Sequence, residues 1–93
     1  MRDPADLEAV HRYSTHHREL LARSDWAGCF YCRTIFAPAE IRRWIPERDP
    51  ATGAPLADRT ALCPRCGVDA VLPSAAPIRL DLGLLADMHR HWF

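Results

Sequence analysis

Apolar residues recur near the start of this chain at the spacing of an α-helix. Leu7, Val10, Tyr13, Ser14, His17, Leu20 and Leu21 fall on one side when residues 4 to 23 are wound at 3.6 per turn. Asp3 suits the N-cap and Pro4 the first helical position. Glu8–Arg12 and Glu19–Arg23 make i,i+4 pairs on the other side. The pattern predicts one helix over 4–23, a solvated scaffold packing its stripe on a core. A second, shorter pattern covers 38–45. Pro38 takes N1, Glu40 takes N3, and Phe36 with Ile41 matches a hydrophobic staple. Ile41, Trp44 and Ile45 share a face of that predicted helix, which places Trp44 in the core. Residues 46–58 hold three prolines and a glycine without periodicity and predict a surface loop. A short strand follows over 59–62, then a short strand or helical turn over 68–72, then a loop over 73–77. A last helix starts at the N-cap Asp81, with Leu82, Leu85, Met88, His89 and Trp92 on its inner face.

Four cysteines punctuate this pattern, and all belong to two C-x-x-C units: Cys29-Phe30-Tyr31-Cys32 and Cys63-Pro64-Arg65-Cys66, followed by Gly67. Zn²⁺ takes four ligands as a tetrahedron and favours thiolates. Cys29, Cys32, Cys63 and Cys66 therefore predict a structural Cys₄ zinc site, with Phe30 and Tyr31 shielding it. Such a site is closed, whereas catalytic zinc keeps a position open for water. A disulfide pair, a redox dithiol and an iron–sulfur cluster are the competing uses of these thiols. The first 25 residues carry many charges and no apolar run, so a reducing cytoplasm is expected, and C-x-x-C pairs there hold metal or do redox work. A redox dithiol needs a βαβ context that the pattern lacks.

At 93 residues the expectation is a single domain over 1–93, α+β in class. A chain this size buries only about two-thirds of its unfolded surface, so a metal worth ~10 kcal/mol or more complements the core. The twelve basic residues balance the twelve acidic ones, and all the basic residues are arginine. Four thiolates around a dication add a further −2. A chain devoted to gripping nucleic acid usually carries a basic excess. Lys, Asn and Gln are absent, and with abundant Ala, Pro and Arg the usage resembles GC-rich bacterial coding. No stretch approaches the ~20 apolar residues that span a membrane.

From residue 29 onward the chain is similar to a group of small uncharacterised bacterial cytoplasmic proteins with two C-x-x-C zinc knuckles. Cys29-Phe-Tyr-Cys32, Glu40-Ile41 with Trp44-Ile45, Thr60 through Asp69, and Met88-His89 with Trp92-Phe93 carry the resemblance. The segment 46–58 is longer than in that type. The knuckles also look like those framing treble-clef and HNH folds, where a Leu-Cys-x-x-Cys such as Leu62–Cys66 leads into a metal-binding helix. That resemblance implies a treble-clef or HNH-like zinc domain between two terminal helices. A zinc ribbon with flanking helices is the alternative. HNH nucleases place histidines between or just after the knuckles, and residues 33–68 contain none.

Three functions compete on this reading. A non-catalytic zinc-held module that binds a protein partner stands first, and an exposed apolar patch around Trp92, Phe93 or Phe30 would support it. A nucleic-acid binder using Arg33, Arg42, Arg43, Arg59 and Arg65 stands second. An enzyme using His17, His89 and a carboxylate such as Asp69 stands third, and requires the two histidines to meet between the terminal helices. His89 reads first as a hydrogen-bonded core residue, while His11, His16 and His91 read as surface residues.

Overall fold

A computed structural model describes residues 2–46, 48–55 and 59–93. Glu47 and residues 56–58, part of the expected loop over 46–58, lie outside the described residues. The architecture is α+β with antiparallel sheets. Helices α1 (Pro4–His11) and α2 (Arg18–Ala22) come first, with a 3₁₀ turn at Arg12–Ser14 between them. Strands β1 (Ala27–Cys29) and β2 (Thr34–Phe36) follow, then a 3₁₀ turn at Pro38–Glu40. Strands β3 (Trp44–Ile45), β4 (Thr60–Ala61) and β5 (Val71–Pro73) precede helix α3 (Leu82–Trp92).

The predicted first helix breaks in two, although its inward face is correct. Asp3 caps α1 by accepting the Ala5 N–H. Leu7, Ser14, His17 and Leu21 are buried, and Val10 and Tyr13 pack against the core. Thr15 is extended and His16 has φ of 51°, a left-handed value that ends the helical run. The break has a tertiary cause. The backbone N–H groups of His17 and Arg18 both donate to the Arg59 carbonyl, and that of His16 donates to the Thr60 hydroxyl. Helical hydrogen bonds are thus exchanged for bonds to the segment that leads into β4.

The expected helix over 38–45 is likewise only a 3₁₀ turn. Glu40 does reach back to the Ala37 N–H, and Phe36 and Ile41 are both buried as a staple requires. Ala37 has no side-chain oxygen to complete a capping box. Pro46 biases Ile45 to extended backbone, and Trp44 and Ile45 are strand formers. They pair with Ala61 and Thr60. The loop over 46–58 contains a tight turn, in which Gly53, at φ of 72°, donates to the Asp49 carbonyl.

The larger sheet has the order β2-β1-β5. β1 and β2 form a hairpin whose turn is the first C-x-x-C unit, with Cys29 opposite Thr34. On the other side of β1, Cys29 lies opposite Val71. Helix α3 lies close on this sheet, since a Cβ on Gly28 would come within about 3 Å of Leu80 and Leu85 side chains. Asp81 caps α3 by accepting the Leu84 N–H at 2.7 Å. Its buried face is Leu84, Leu85 and Met88, whereas Leu82, expected inside, is exposed. Helix α1 packs against α3, and Arg2 ties the two by ion pairs to Asp81 and Asp87. Among the described residues no helix is long and apolar enough to cross a membrane.

Candidate metal centre

Each C-x-x-C unit is a tight turn closed by a residue in the left-handed region. Arg33 follows Cys32 at φ of 58°, and Gly67 follows Cys66 at φ of 80°. Glycine adopts that conformation freely, but arginine does so at a cost of about 1–2 kcal/mol. The Gly67 N–H donates to the Cys63 carbonyl, and the Cys63 N–H to the Val68 carbonyl. The N–H of Arg65 points at the Cys63 sulfur, 3.3 Å away. The first turn hangs from the central strand β1. The second lies between β4 and β5, and no helix begins until Leu82.

The two turns face each other and bring all four cysteines together. Their sulfurs lie within 4.8 Å of one another and form a group that could hold a metal ion. The pairing is crossed: Cys29 Sγ is 3.7 Å from Cys66 Sγ, and Cys32 Sγ is 3.7 Å from Cys63 Sγ. A disulfide needs about 2.05 Å, so these are free thiols. A tetrahedral ion bonded to sulfur at about 2.3 Å requires sulfurs about 3.8 Å apart. The donor set and its spacing fit such an ion.

The electrostatics show what ionising these thiols would require. Burial pushes the Cys29 thiol well above its ordinary range, against the Cys32 and Tyr31 backbone N–H groups, and the charges of Cys63 and Cys32 push it further. Burial raises Cys63 too, opposed by the Arg65 and Cys66 backbone. At Cys32 burial also acts upward, but hydrogen bonds from Thr34 and the neighbouring thiols bring it below its usual value. Cys29 and Cys63 therefore stay protonated unless a positive charge lies beside them, as a bound metal ion would. Cys29 and Cys63 are buried, Cys32 is half-buried and Cys66 is exposed.

The other expected site residues do not converge on this centre as a catalytic set. His17 is fully buried, with Nδ1 2.6 Å from the Tyr13 carbonyl and Nε2 3.0 Å from the Ala61 N–H. Nδ1 must donate and Nε2 must accept, so the ring is a neutral structural crosslink. His89 Nδ1 meets the Phe30 carbonyl at 3.1 Å, which fastens α3 to the first turn. The two histidines therefore serve different backbone groups and do not form the acid–base pair expected of an enzyme. Asp69 is exposed. Arg65 pairs with Glu40 at 2.8 Å, Arg33 is exposed on the first turn, and the Arg59 carbonyl receives α2. Arg42 and Arg43 line one cleft beside the second turn.

Phe30 and Tyr31, expected together as a shield, divide the work. Phe30 is buried, whereas Tyr31 stands 44% exposed. Tyr31 meets the Phe93 ring edge-on at 4.9 Å, and Phe93 and Trp92 are 58% and 39% exposed. His11, expected on the surface, is half-buried and stacks on Trp92 with ring centres 4.1 Å apart. Of the exposed patch expected around Trp92, Phe93 or Phe30, the first two are exposed and Phe30 is buried, while Tyr31 and His11 join the group from elsewhere in the chain. Comparison with protein-family models, curated proteins and solved structures finds no match.

Proposed function

We propose that this chain is a non-catalytic interaction module whose two C-x-x-C turns are locked by a structural Zn²⁺. The observation that carries the reading is the convergence of Cys29, Cys32, Cys63 and Cys66 at tetrahedral spacing. Tetrahedral sulfur sites take zinc or iron, and zinc needs no redox partner. Four sulfurs fill its coordination and leave no position for water, so the ion holds the fold and performs no chemistry. Of the two topologies the sequence suggests, the ribbon is favoured over the treble clef. The second pair sits between strands, where a treble clef would start a helix.

The contact face is the group Tyr31, Trp92 and Phe93, beside the first turn. Exposed aromatic residues clustered on a supporting layer are the usual anchors of protein interfaces. Phe30 and His89 form that layer. A protein partner in a reducing cytoplasm is the setting this implies, as for the bacterial proteins that residues 29 onward resemble. Elemental analysis should find one zinc per chain. A photo-crosslinker at Tyr31 should capture a partner that Trp92→Ala and Phe93→Ala release while zinc content stays unchanged. Crosslinks that survive both substitutions would refute the face, and a metal-free folded protein would refute the centre.

A further inference from the structure

We infer that the cleft beside the second turn is a phosphate-binding site gripped by Arg42 and Arg43. The cleft measures about 590 Å³ and is lined by Glu40, Arg42, Arg43, Leu62, Cys63 and Pro64. Its single carboxylate is already engaged. One Glu40 oxygen accepts the Ala37 N–H and the other the Arg65 guanidinium. Arg42 and Arg43 are exposed, and neither has an ion-pair or side-chain hydrogen-bond partner among the described residues.

Among the described residues Arg23 and Arg33 share this state, but neither lines the cleft, and the other arginines are engaged. Arg2, Arg65, Arg79 and Arg90 hold carboxylates, Arg48 holds the Gly53 carbonyl, and Arg12 and Arg18 lie over Tyr13 and Trp44. Two arginines consecutive in sequence thus line one cleft with their donors uncommitted. The backbone fixes their position, since the Arg43 carbonyl receives the Leu62 N–H. The Arg43 side chain reaches the second turn, with Nη2 3.4 Å from where a Cβ on Gly67 would stand. Planar guanidiniums present paired donors that match a phosphate's oxygens, which a lysine cannot do. The pair outweighs the paired Glu40, but the thiolate centre nearby is anionic, so binding is short-ranged and sensitive to salt. The site is independent of what the aromatic face binds.

The phosphate could be a free phosphate group or the backbone of a single-stranded nucleic acid, and the test separates them. The metal-replete protein is titrated with inorganic phosphate, with a single-stranded DNA 12-mer and with poly-glutamate, following backbone amide NMR shifts. Phosphate or the strand should shift Arg42, Arg43 and Leu62, and Arg42→Ala and Arg43→Ala should each weaken binding about tenfold. Binding of the strand at least tenfold tighter than phosphate, steeply weakened by salt, identifies the polymer; equal binding identifies the free group. Arg23→Ala, which removes another exposed arginine outside the cleft, should change nothing. Arg42→Lys and Arg43→Lys keep the charge and should still lose affinity, which guards against a folding defect in the alanine variants. No shift at these three residues with either probe would overturn the assignment. So would an Arg23→Ala loss equal to that of Arg42→Ala, or poly-glutamate binding there more tightly than both phosphate probes.

Discussion

His17 and Ala61 are joined across 44 residues by one hydrogen bond, from the Ala61 N–H to Nε2, in a fully buried setting. The other ring nitrogen serves Tyr13, so the imidazole pins the break between α1 and α2 onto β4. Removing the ring strands a buried N–H and leaves a cavity. His17→Ala should lose about 2–4 kcal/mol of stability, read by chemical denaturation of the metal-loaded protein. His17→Phe would fill the space without accepting the bond and should also destabilise. A His17→Phe protein as stable as the parent would show the bond to be dispensable.

Cys63 is the buried member of the second pair and the one its own turn hydrogen-bonds. Cys63→Ser should abolish stoichiometric metal and unfold the protein, because ligand loss removes ~10 kcal/mol or more of coupled binding energy. A chelator added to the parent should do the same. Circular dichroism and metal analysis check both, and a Cys63→Ser protein with full metal and an unchanged melting temperature contradicts the assignment.

The two turns end on equivalent left-handed residues of opposite comfort, Arg33 and Gly67. Gly67→Ala should therefore cost about 1–2 kcal/mol through its backbone conformation alone, since the Arg43 guanidinium at 3.4 Å would be in ordinary contact with the new Cβ. Arg33→Gly relieves strain but adds freedom to the unfolded chain, so it should be near neutral or slightly stabilising. Thermal melts of the two variants moving in the same direction by equal amounts would disprove the contrast.

Asp87 is held below the ordinary carboxyl range by the Arg2 backbone N–H first, and by the Arg2 guanidinium. A carboxyl depressed in the folded state stabilises fully above its unfolded value and loses that contribution as pH falls through the folded one. Asp87→Asn should flatten the acid limb of a stability–pH curve while leaving metal content unchanged. An acid limb identical to the parent's would rule out this link.

Much of the site was legible because its chemistry is local. Two C-x-x-C units with no cysteine left over place four sulfurs in two turns, and Asp3, Glu40 and Asp81 sit where backbone N–H groups need acceptors. The failures share one physical origin. Periodicity runs unbroken through Thr15 and His16, yet bonds to Arg59 and Thr60 split the helix there. Trp44 and Ile45 fit the face of a helix by spacing, and their strand bias ahead of Pro46 is realised only by pairing with β4. Ala27 and Gly28 are poor strand formers, buried in β1 by neighbours on both sides. Trp92 and Phe93 were legible as an exposed patch, but that Tyr31, some sixty positions earlier, and not Phe30 shares it was not visible in any short window.

The bond from His89 to the Phe30 carbonyl makes the segment at Trp92 and Phe93 a handle on the four-cysteine group. Whatever grips Trp92 and Phe93 steadies or strains the turn that carries Cys29. The speed at which a chelator strips the ion should therefore register whether that handle is held, even where the ion takes no part in the contact.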